Sequence, residues 1–303
     1  MKVLVCDPID ENGVNLLKEN GFEVDVKTGM DPDELKKTIK GYEVMVVRSA
    51  TKVTKDVIDS ADNLKLVVRG GVGIDNIDTQ AAKAKNIAVK NTPAASTVSV
   101  AEHTFALLLT LARKLHEADK STKEGKWEKK KLKGTELYNK TLGLVGVGRI
   151  GLAVAKRALG FEMKVLGFDP YIDKKTLGEN NITSVEKLDD LLSRSDIISI
   201  HSPLTDETKN LINETNINKM KNGAIVVNSA RGGVVDESAL AKALQSGKLS
   251  GAALDVYEKE PLVDSPLMKL NNIVLAPHIA ASTQEAQERV GIESAKTIIE
   301  HFK

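Results

Sequence analysis

Three residues in the second half of the chain, Arg231, Glu260 and His278, combine the side-chain types needed to oxidise a 2-hydroxy acid. A histidine titrates near neutral pH and so can take or return the hydroxyl proton. A carboxylate bonded to the far nitrogen of such a ring fixes the tautomer and favours the protonated form. An arginine offers a planar, two-pronged donor that matches a carboxylate. The three lie 29 and 18 residues apart in the chain, and their order does not bring them together; the plain alternative is three unrelated residues at strand ends.

A second constellation, Thr141 to Asp169, supplies what such an oxidation lacks. Leu142 to Val147 is a nearly all-apolar run, as a parallel strand covered on both faces should be. It enters Gly146-Val147-Gly148-Arg149-Ile150-Gly151. There Gly146 permits a tight turn, Gly148 lets backbone approach a pyrophosphate, and Gly151 lets the following helix lie close to the strand. The pyrophosphate rests on that helix N-terminus, whose free N–H groups favour anions. Gly160 is the expected stop of the helix, and Lys164 to Phe168 is the next strand, ending at Asp169, eighteen residues past Gly151. A carboxylate there accepts bonds from ribose hydroxyls and repels a 2′-phosphate, which selects NAD over NADP. A lone glycine pattern would be a weak signal; strand, helix, strand and acid in register make a specific one.

The elements that must position these groups alternate from residue 1. Short apolar strands at 2–6, 22–26, 43–47, 64–68 and 87–89 are separated by amphipathic stretches, with Asp31-Pro32 opening one helix. Further strands are expected at 196–200, 223–227, 252–256 (holding Asp255) and 273–276, and a closing amphipathic helix at about 283–302. Such alternation implies parallel sheets with helices on both faces, whose ligands bind beyond the carboxyl ends of strands. In the first half those ends carry Arg48-Ser49, Arg69-Gly70-Gly71-Val72-Gly73 and, after Lys90, Asn91. Two arginines, a serine, an asparagine and a glycine-rich loop suit a small anionic ligand, although each arginine alone reads as a surface salt bridge.

Residues 97–115 are apolar around the whole helical circumference, so this segment is either a core helix joining domains or part of an oligomer interface. His103 within it is expected to be a packed, hydrogen-bonded histidine. Residues 120–133 read as a polar, lysine-rich loop, with Trp127 suited to an interface contact. A net charge of +1 gives no sign of a nucleic-acid or membrane surface. The single cysteine, Cys6, lies in the first apolar strand and reads as a buried structural thiol. No run reaches the ~18 apolar residues of a membrane helix, and the N-terminus does not read as a signal peptide. A soluble, cytoplasmic, unprocessed protein without a metal site is the expectation.

Longer motifs add to this. RSATKVT from Arg48, RGGVGIDNID from Arg69, NTPAASTVSVAEHTFALLL from Asn91, WEKKKLKGTEL from Trp127, GVGRIG, HSPLT, NSARGGVVDE, AALDVYEKEP and PHIAASTQEAQ resemble the D-2-hydroxyacid dehydrogenase family. Within it they are most similar to the D-3-phosphoglycerate dehydrogenase group, and the resemblance runs through essentially the whole chain. It implies a Rossmann NAD-binding domain at 93–281 inserted into a flavodoxin-like substrate domain at 1–92, completed by the C-terminal helix at 282–303.

The resemblance implies Arg231, Glu260 and His278 as the catalytic set. It implies Val72, Arg149, Ile150, Asp169, His201, Ser202, Pro203, Ser229, Ala230, Arg231, Asp255 and His278 to Ala281, including Ala280, as cofactor contacts beside Gly146, Gly148 and Gly151. Arg48, Ser49, Arg69 to Gly73 and Asn91 match its substrate pocket. It further implies a homodimer formed through the apolar helix and the Trp127 loop. The expected activity is oxidation of 3-phosphoglycerate with NAD. Alternatives are a glyoxylate or hydroxypyruvate reductase within the family and, from another class, an NAD-sensing interaction module. Longer members carry a serine-binding domain after the last helix; the sequence stops at Lys303, so feedback by serine through such a domain is not expected.

Overall fold

A computed structural model describes residues 1–303. The chain divides into two compact units, one of residues 1–97 with 281–303 and one of residues 98–280. The first unit alternates β1 (Lys2–Val5), α1 (Glu11–Glu19), β2 (Glu23–Val26), α2 (Pro32–Thr38), β3 (Val44–Val47), α3 (Lys55–Ser60), β4 (Leu66–Arg69), α4 (Thr79–Ala84) and β5 (Ala88–Asn91). Its five strands run parallel in the order β2-β1-β3-β4-β5, the flavodoxin-like order, with its switch point between β1 and β3.

The second unit opens with α5 (Thr97–Ala112) and α6 (Leu115–Lys123), then follows β6 (Thr141–Val145), α7 (Arg149–Gly160), β7 (Lys164–Phe168), α8 (Lys174–Glu179), β8 (Thr183–Ser184), α9 (Leu188–Arg194), β9 (Ile197–Ile200), α10 (Glu214–Lys219), β10 (Ala224–Asn228), α11 (Glu237–Gln245), β11 (Leu249–Leu254) and β12 (Ile273–Leu275). Its seven strands are ordered β12-β11-β10-β9-β6-β7-β8, all parallel. The first six strands of this sheet in chain order make the doubly wound dinucleotide-binding arrangement, reversing between β6 and β9. The chain then returns to the first unit as α12 (Gln284–Phe302), whose Ala295, Ile298 and Ile299 bury against Val3, Val5, Val44, Val46, Leu66 and Val68. The central strands β3, β9 and β10 are rich in β-branched residues and buried along their whole length, as central parallel strands require. No helix is long and apolar enough to cross a membrane.

As expected, Gly160 is the last residue of α7, although the left-handed position beyond it falls on Glu162 (φ 56°) and the Met163 N–H returns to the Ala158 carbonyl. Burial of Met163 makes this closure favourable without a glycine at the left-handed position. Four local expectations are corrected. The segment 97–115 is broken at Lys114, which is left-handed (φ 52°). Residues 120–123 of the expected loop belong instead to α6, which good helix formers such as Glu117, Ala118 and Lys120 carry forward even where no apolar stripe announces a helix. Arg69, Lys90 and Asn91 are the last residues of their strands and not the first beyond them. Asp255 lies just past β11 and not within it.

Candidate active site

Arg231, Glu260 and His278 follow β10, β11 and β12, which are neighbours in the sheet, so parallel pairing sets the three loops side by side. His278 Nδ1 and Glu260 Oε2 are 2.8 Å apart, and the Tyr257 N–H donates to Glu260 Oε1 at 3.1 Å. The carboxylate is thus aimed by backbone before it aims the imidazole, and Nε2 is left for a ligand. Both side chains stay partly open to solvent, at 45% and 37% exposed, as groups that must meet a substrate are. Burial pushes the Tyr257 phenol up to about 12; its O–H donates to the Ala276 carbonyl at 2.8 Å, fastening β11's loop to the end of β12. A cavity of about 590 Å³ adjoins the pair, lined by residues including Tyr257, Leu262, Met268 and Pro277 with Glu260 and His278.

The Arg231 loop is shaped by Asn228, which is buried. Its Oδ1 accepts from the Ala230 N–H at 3.0 Å, and its Nδ2 donates to the Arg231 carbonyl at 2.9 Å. Gly232 packs so closely on the Tyr257 carbonyl that no Cβ fits, which lets the loop after β10 abut the loop carrying Glu260.

The glycine turn after β6 has the form expected for a dinucleotide. A Cβ on Gly146 (φ 88°) would come within 2.8 Å of His201 backbone, and one on Gly151 within 2.5 Å of the Gly146 carbonyl. At Gly148 nothing lies within 4 Å of that position, so the turn is open where a phosphate would approach. Gly148 is the N-cap of α7 and supplies no side-chain acceptor, which leaves the first N–H groups of Arg149, Ile150 and Gly151 for an anion. Asp169 at the end of β7 accepts from the Val147 N–H at 2.8 Å and the Tyr171 N–H at 2.9 Å, holding its carboxylate beside the turn. After β9, His201 Nε2 pairs with Ser199 Oγ at 2.8 Å, while His201 Nδ1 and Ser202 Oγ are buried without partners, and Pro203 is exposed. Burial alone lowers the His201 pKa to about 4. Two orphaned polar atoms, an open glycine and an uncapped helix fit a dinucleotide.

Asp255 is fully buried. Both of its oxygens accept backbone N–H groups, from Ile279 at 2.9 Å and Ala280 at 2.8 Å. It therefore supports the loop bearing His278 and does not itself face open space. Ser229 is buried against Thr104, and Ala230 is half-buried beside it.

In the first unit the carboxyl edge is built differently. Asp7, at the end of β1, takes the Arg48 N–H on Oδ2 and the Thr51 hydroxyl at 2.8 Å on Oδ1. Asn76 donates to the Arg48 carbonyl at 2.7 Å and the Thr51 carbonyl at 2.6 Å. Together they fold the loop that carries Arg48 and the exposed Ser49. Arg48 Nη1 donates to the Pro8 carbonyl at 3.3 Å, and burial lowers the Arg48 pKa, opposed by Asp7. The Gly70–Gly73 loop is pinned by Gly71 N–H to Thr92 Oγ1 at 2.7 Å and by Asn91 Nδ2 to the Val72 carbonyl, with the Arg69 guanidinium folded over Gly71. Asp7 and Asn76 went unnoticed in the sequence; only their places after β1 and in the loop between β4 and α4 marked them.

Residues 105–280 match the family model "D-isomer specific 2-hydroxyacid dehydrogenase, NAD binding domain". The chain belongs to the D-2-hydroxyacid dehydrogenase family. A D-3-phosphoglycerate dehydrogenase of Archaeoglobus fulgidus is 52% identical over all of this chain, which spans 58% of that protein's length. A hydroxypyruvate reductase of Thermotoga maritima is 50% identical over 99% of the chain and 98% of its own length. Among solved structures, D-lactate dehydrogenase from Aquifex aeolicus, complexed with NAD and lactic acid, superposes with a TM-score of 0.86 at 34% identity, covering 100% of this chain and 95% of that one. In this D-2-hydroxyacid dehydrogenase, Glu260 and His278 follow the first and second strands over from that of Arg231, and the glycine turn lies on a separate part of the same sheet; groups of these types are what proton and hydride transfer use.

Proposed function

We propose that the chain catalyses NAD-dependent oxidation of 3-phospho-D-glycerate to 3-phosphohydroxypyruvate, the first step of L-serine biosynthesis. The observation that carries this reading is the His278 Nδ1–Glu260 Oε2 hydrogen bond of 2.8 Å in the loop after β12, two strands from Arg231. Bound NAD supplies the hydride acceptor. Gly146, Gly148, Gly151 and the N–H groups of Arg149 and Ile150 hold its pyrophosphate, and Asp169 takes the adenosine ribose. His201, Ser202, Pro203, Ser229, Ala230 and Val72 line its remaining length. His278 Nε2 removes the hydroxyl proton as the C2–H bond gives up its hydride, and Glu260 stabilises the imidazolium that forms. Arg231 holds the carboxylate and polarises the C2 oxygen. Arg48, Ser49, Arg69, Gly70, Gly71, Gly73 and Asn91 hold the anionic end of the substrate; the two arginines support a phosphorylated acid.

A second reading is supported by the relative of nearly equal length: reduction of hydroxypyruvate or glyoxylate, using the same three reacting residues. The working form is proposed to be a cytoplasmic homodimer; Trp127 at 85% exposed and Tyr138 at 63% are large aromatic surfaces of the kind interfaces cover. The test is reduction of 3-phosphohydroxypyruvate, hydroxypyruvate and glyoxylate with NADH and with NADPH, reading kcat/KM for each. The proposal expects the phosphorylated acid with NADH to lead. Equal or better rates on the unphosphorylated acids would transfer the chain to the second reading, and no turnover of any 2-keto acid would leave an NAD-sensing module.

A further inference from the structure

His278 sits in the left-handed region (φ 55°), where a residue bearing a Cβ is held only if its surroundings over-determine it. What determines it is Asp255. The two N–H groups that follow His278 in the chain, those of Ile279 and Ala280, both end on this one carboxylate, at 2.9 and 2.8 Å. Asp255 is 0% exposed, and a buried carboxylate needs compensation beyond two neutral donors. His103 on α5 stands next to it, with Nε2 3.2 Å from Oδ1. The approach is off-line for a hydrogen bond, yet Nε2 is buried and has no other partner. At that distance, away from water, the electrostatic interaction of the two groups is stronger than it would be in solvent, with a strength that depends on their orientation.

The next residue along α5 serves the other loop. Thr104 is buried and its hydroxyl donates to the Val100 carbonyl at 2.8 Å. With its one hydrogen used, its contact of 2.7 Å with Ser229 Oγ is one in which Ser229 donates. Ser229 opens the turn to Ala230 and Arg231. Two consecutive residues of one helix therefore reach under the two loops that carry the base and the arginine.

We propose that His103 and Thr104 are positioning residues, which hold the His278 loop and the Arg231 loop in a fixed relation through Asp255 and Ser229. The proposal rests on the reading of His278 and Arg231 as the reacting pair. A loop that slips by an ångström costs turnover more than binding.

The experiment compares His103→Leu, His103→Gln, Thr104→Val and Thr104→Ser in the full chain. It reads kcat and KM with the 2-keto acid that the wild type prefers, and amide hydrogen exchange at residues 230, 231, 279 and 280. For His103→Leu and Thr104→Val, kcat should fall about 10- to 100-fold, as on loss of an orienting partner, with KM changed far less. Exchange should quicken at 279 and 280 in the first and at 230 and 231 in the second. His103→Gln and Thr104→Ser, which keep a donor or a hydroxyl in place, should recover most of the loss. Unaltered kcat and exchange in the Leu and Val variants would overturn the proposal, as would losses that follow the melting temperature alone and are not recovered by Gln and Ser. If the wild type turns over no 2-keto acid, the reading of the reacting pair fails, while exchange at 279 and 280 still decides whether His103 anchors that loop.

Discussion

The two sheets present their carboxyl edges in opposite styles. In the first unit the edge is a scaffold of backbone: Asp7 and Asn76 spend their side chains shaping the Arg48–Thr51 loop, and Thr92 holds Gly71. Its two arginines do not change charge in the physiological range. In the second unit the edge carries a hydrogen-bonded histidine–carboxylate pair, His278 with Glu260, and the buried His201, whose pKa burial lowers. A parallel sheet thus gives the same scaffold twice, and the side chains at the strand ends decide whether the edge binds or reacts. The first edge should govern which substrate is chosen, and the second how fast any substrate turns over.

The largest break in that comparison is expected at the second edge. His278→Ala should lower kcat about 10³-fold on every accepted keto acid, within the range general acid–base groups contribute, with KM nearly unchanged. Glu260→Gln keeps a hydrogen-bond acceptor at Nδ1 without the charge, and should lower kcat about 10²-fold. Losses confined to one substrate would show that the second edge selects as well as reacts.

At the first edge the expected effect is smaller and selective. Arg69→Gln should reduce kcat/KM for 3-phosphohydroxypyruvate about 10- to 100-fold, the worth of a charge-assisted hydrogen bond, and change hydroxypyruvate much less. Asp7→Asn should act in the same direction through the Arg48 loop, since the amide can accept only on one atom where the carboxylate accepts on both. An equal loss on both acids would erase the division of labour between the edges.

Much of this was legible before any coordinates. Both sheets follow from alternating apolar runs and amphipathic stretches, and the Gly146–Asp169 turn from glycine spacing, because strand period and glycine geometry are local properties. The His, Glu and Arg types were legible as types, but not their neighbouring loops: the adjacency of β10, β11 and β12 is a fact of sheet order, which no local pattern encodes. Asp7 and Asn76 were missed for a related reason. Each acts on a loop across 25 to 44 residues, and an Asp after a strand carries no mark of what it will hold. The end of α7 at Gly160 was legible, but not the left-handed residue that closes it, because any residue that tolerates that region can serve, here Glu162, once a buried Met163 secures the turn.

Within the second unit, nucleotide choice is expected to be a weaker lever than proton transfer. Asp169→Ser removes the carboxylate beside the glycine turn and should raise the NADPH-to-NADH ratio of kcat/KM about tenfold, as expected when a repulsive charge near a 2′-phosphate is lost. Part of the NADH rate should fall as well, because Asp169 also braces the Val147 N–H. An unchanged ratio would mean that specificity lies elsewhere along the turn.

The smallest effect is a pH dependence of stability that should belong to the second edge. Burial lowers the His201 pKa to about 4, below the ~6.5 of an unfolded histidine. The folded chain therefore keeps this ring neutral, while the unfolded chain protonates it first. The stability linked to His201 is present in full above about pH 6.5 and is lost as pH falls from there through about 4. His301 on α12 is also held below its ordinary value, by burial first and Lys90 second, so acidification alone does not isolate one site. His201→Gln does, since an amide replaces the hydrogen bond to Ser199 Oγ and does not titrate. The wild-type melting temperature should fall more steeply than the variant's between pH 6.5 and 4, by a few degrees in total. Parallel slopes would mean that His201 protonates within the fold, and the second edge would then be no more sensitive to acid than the first.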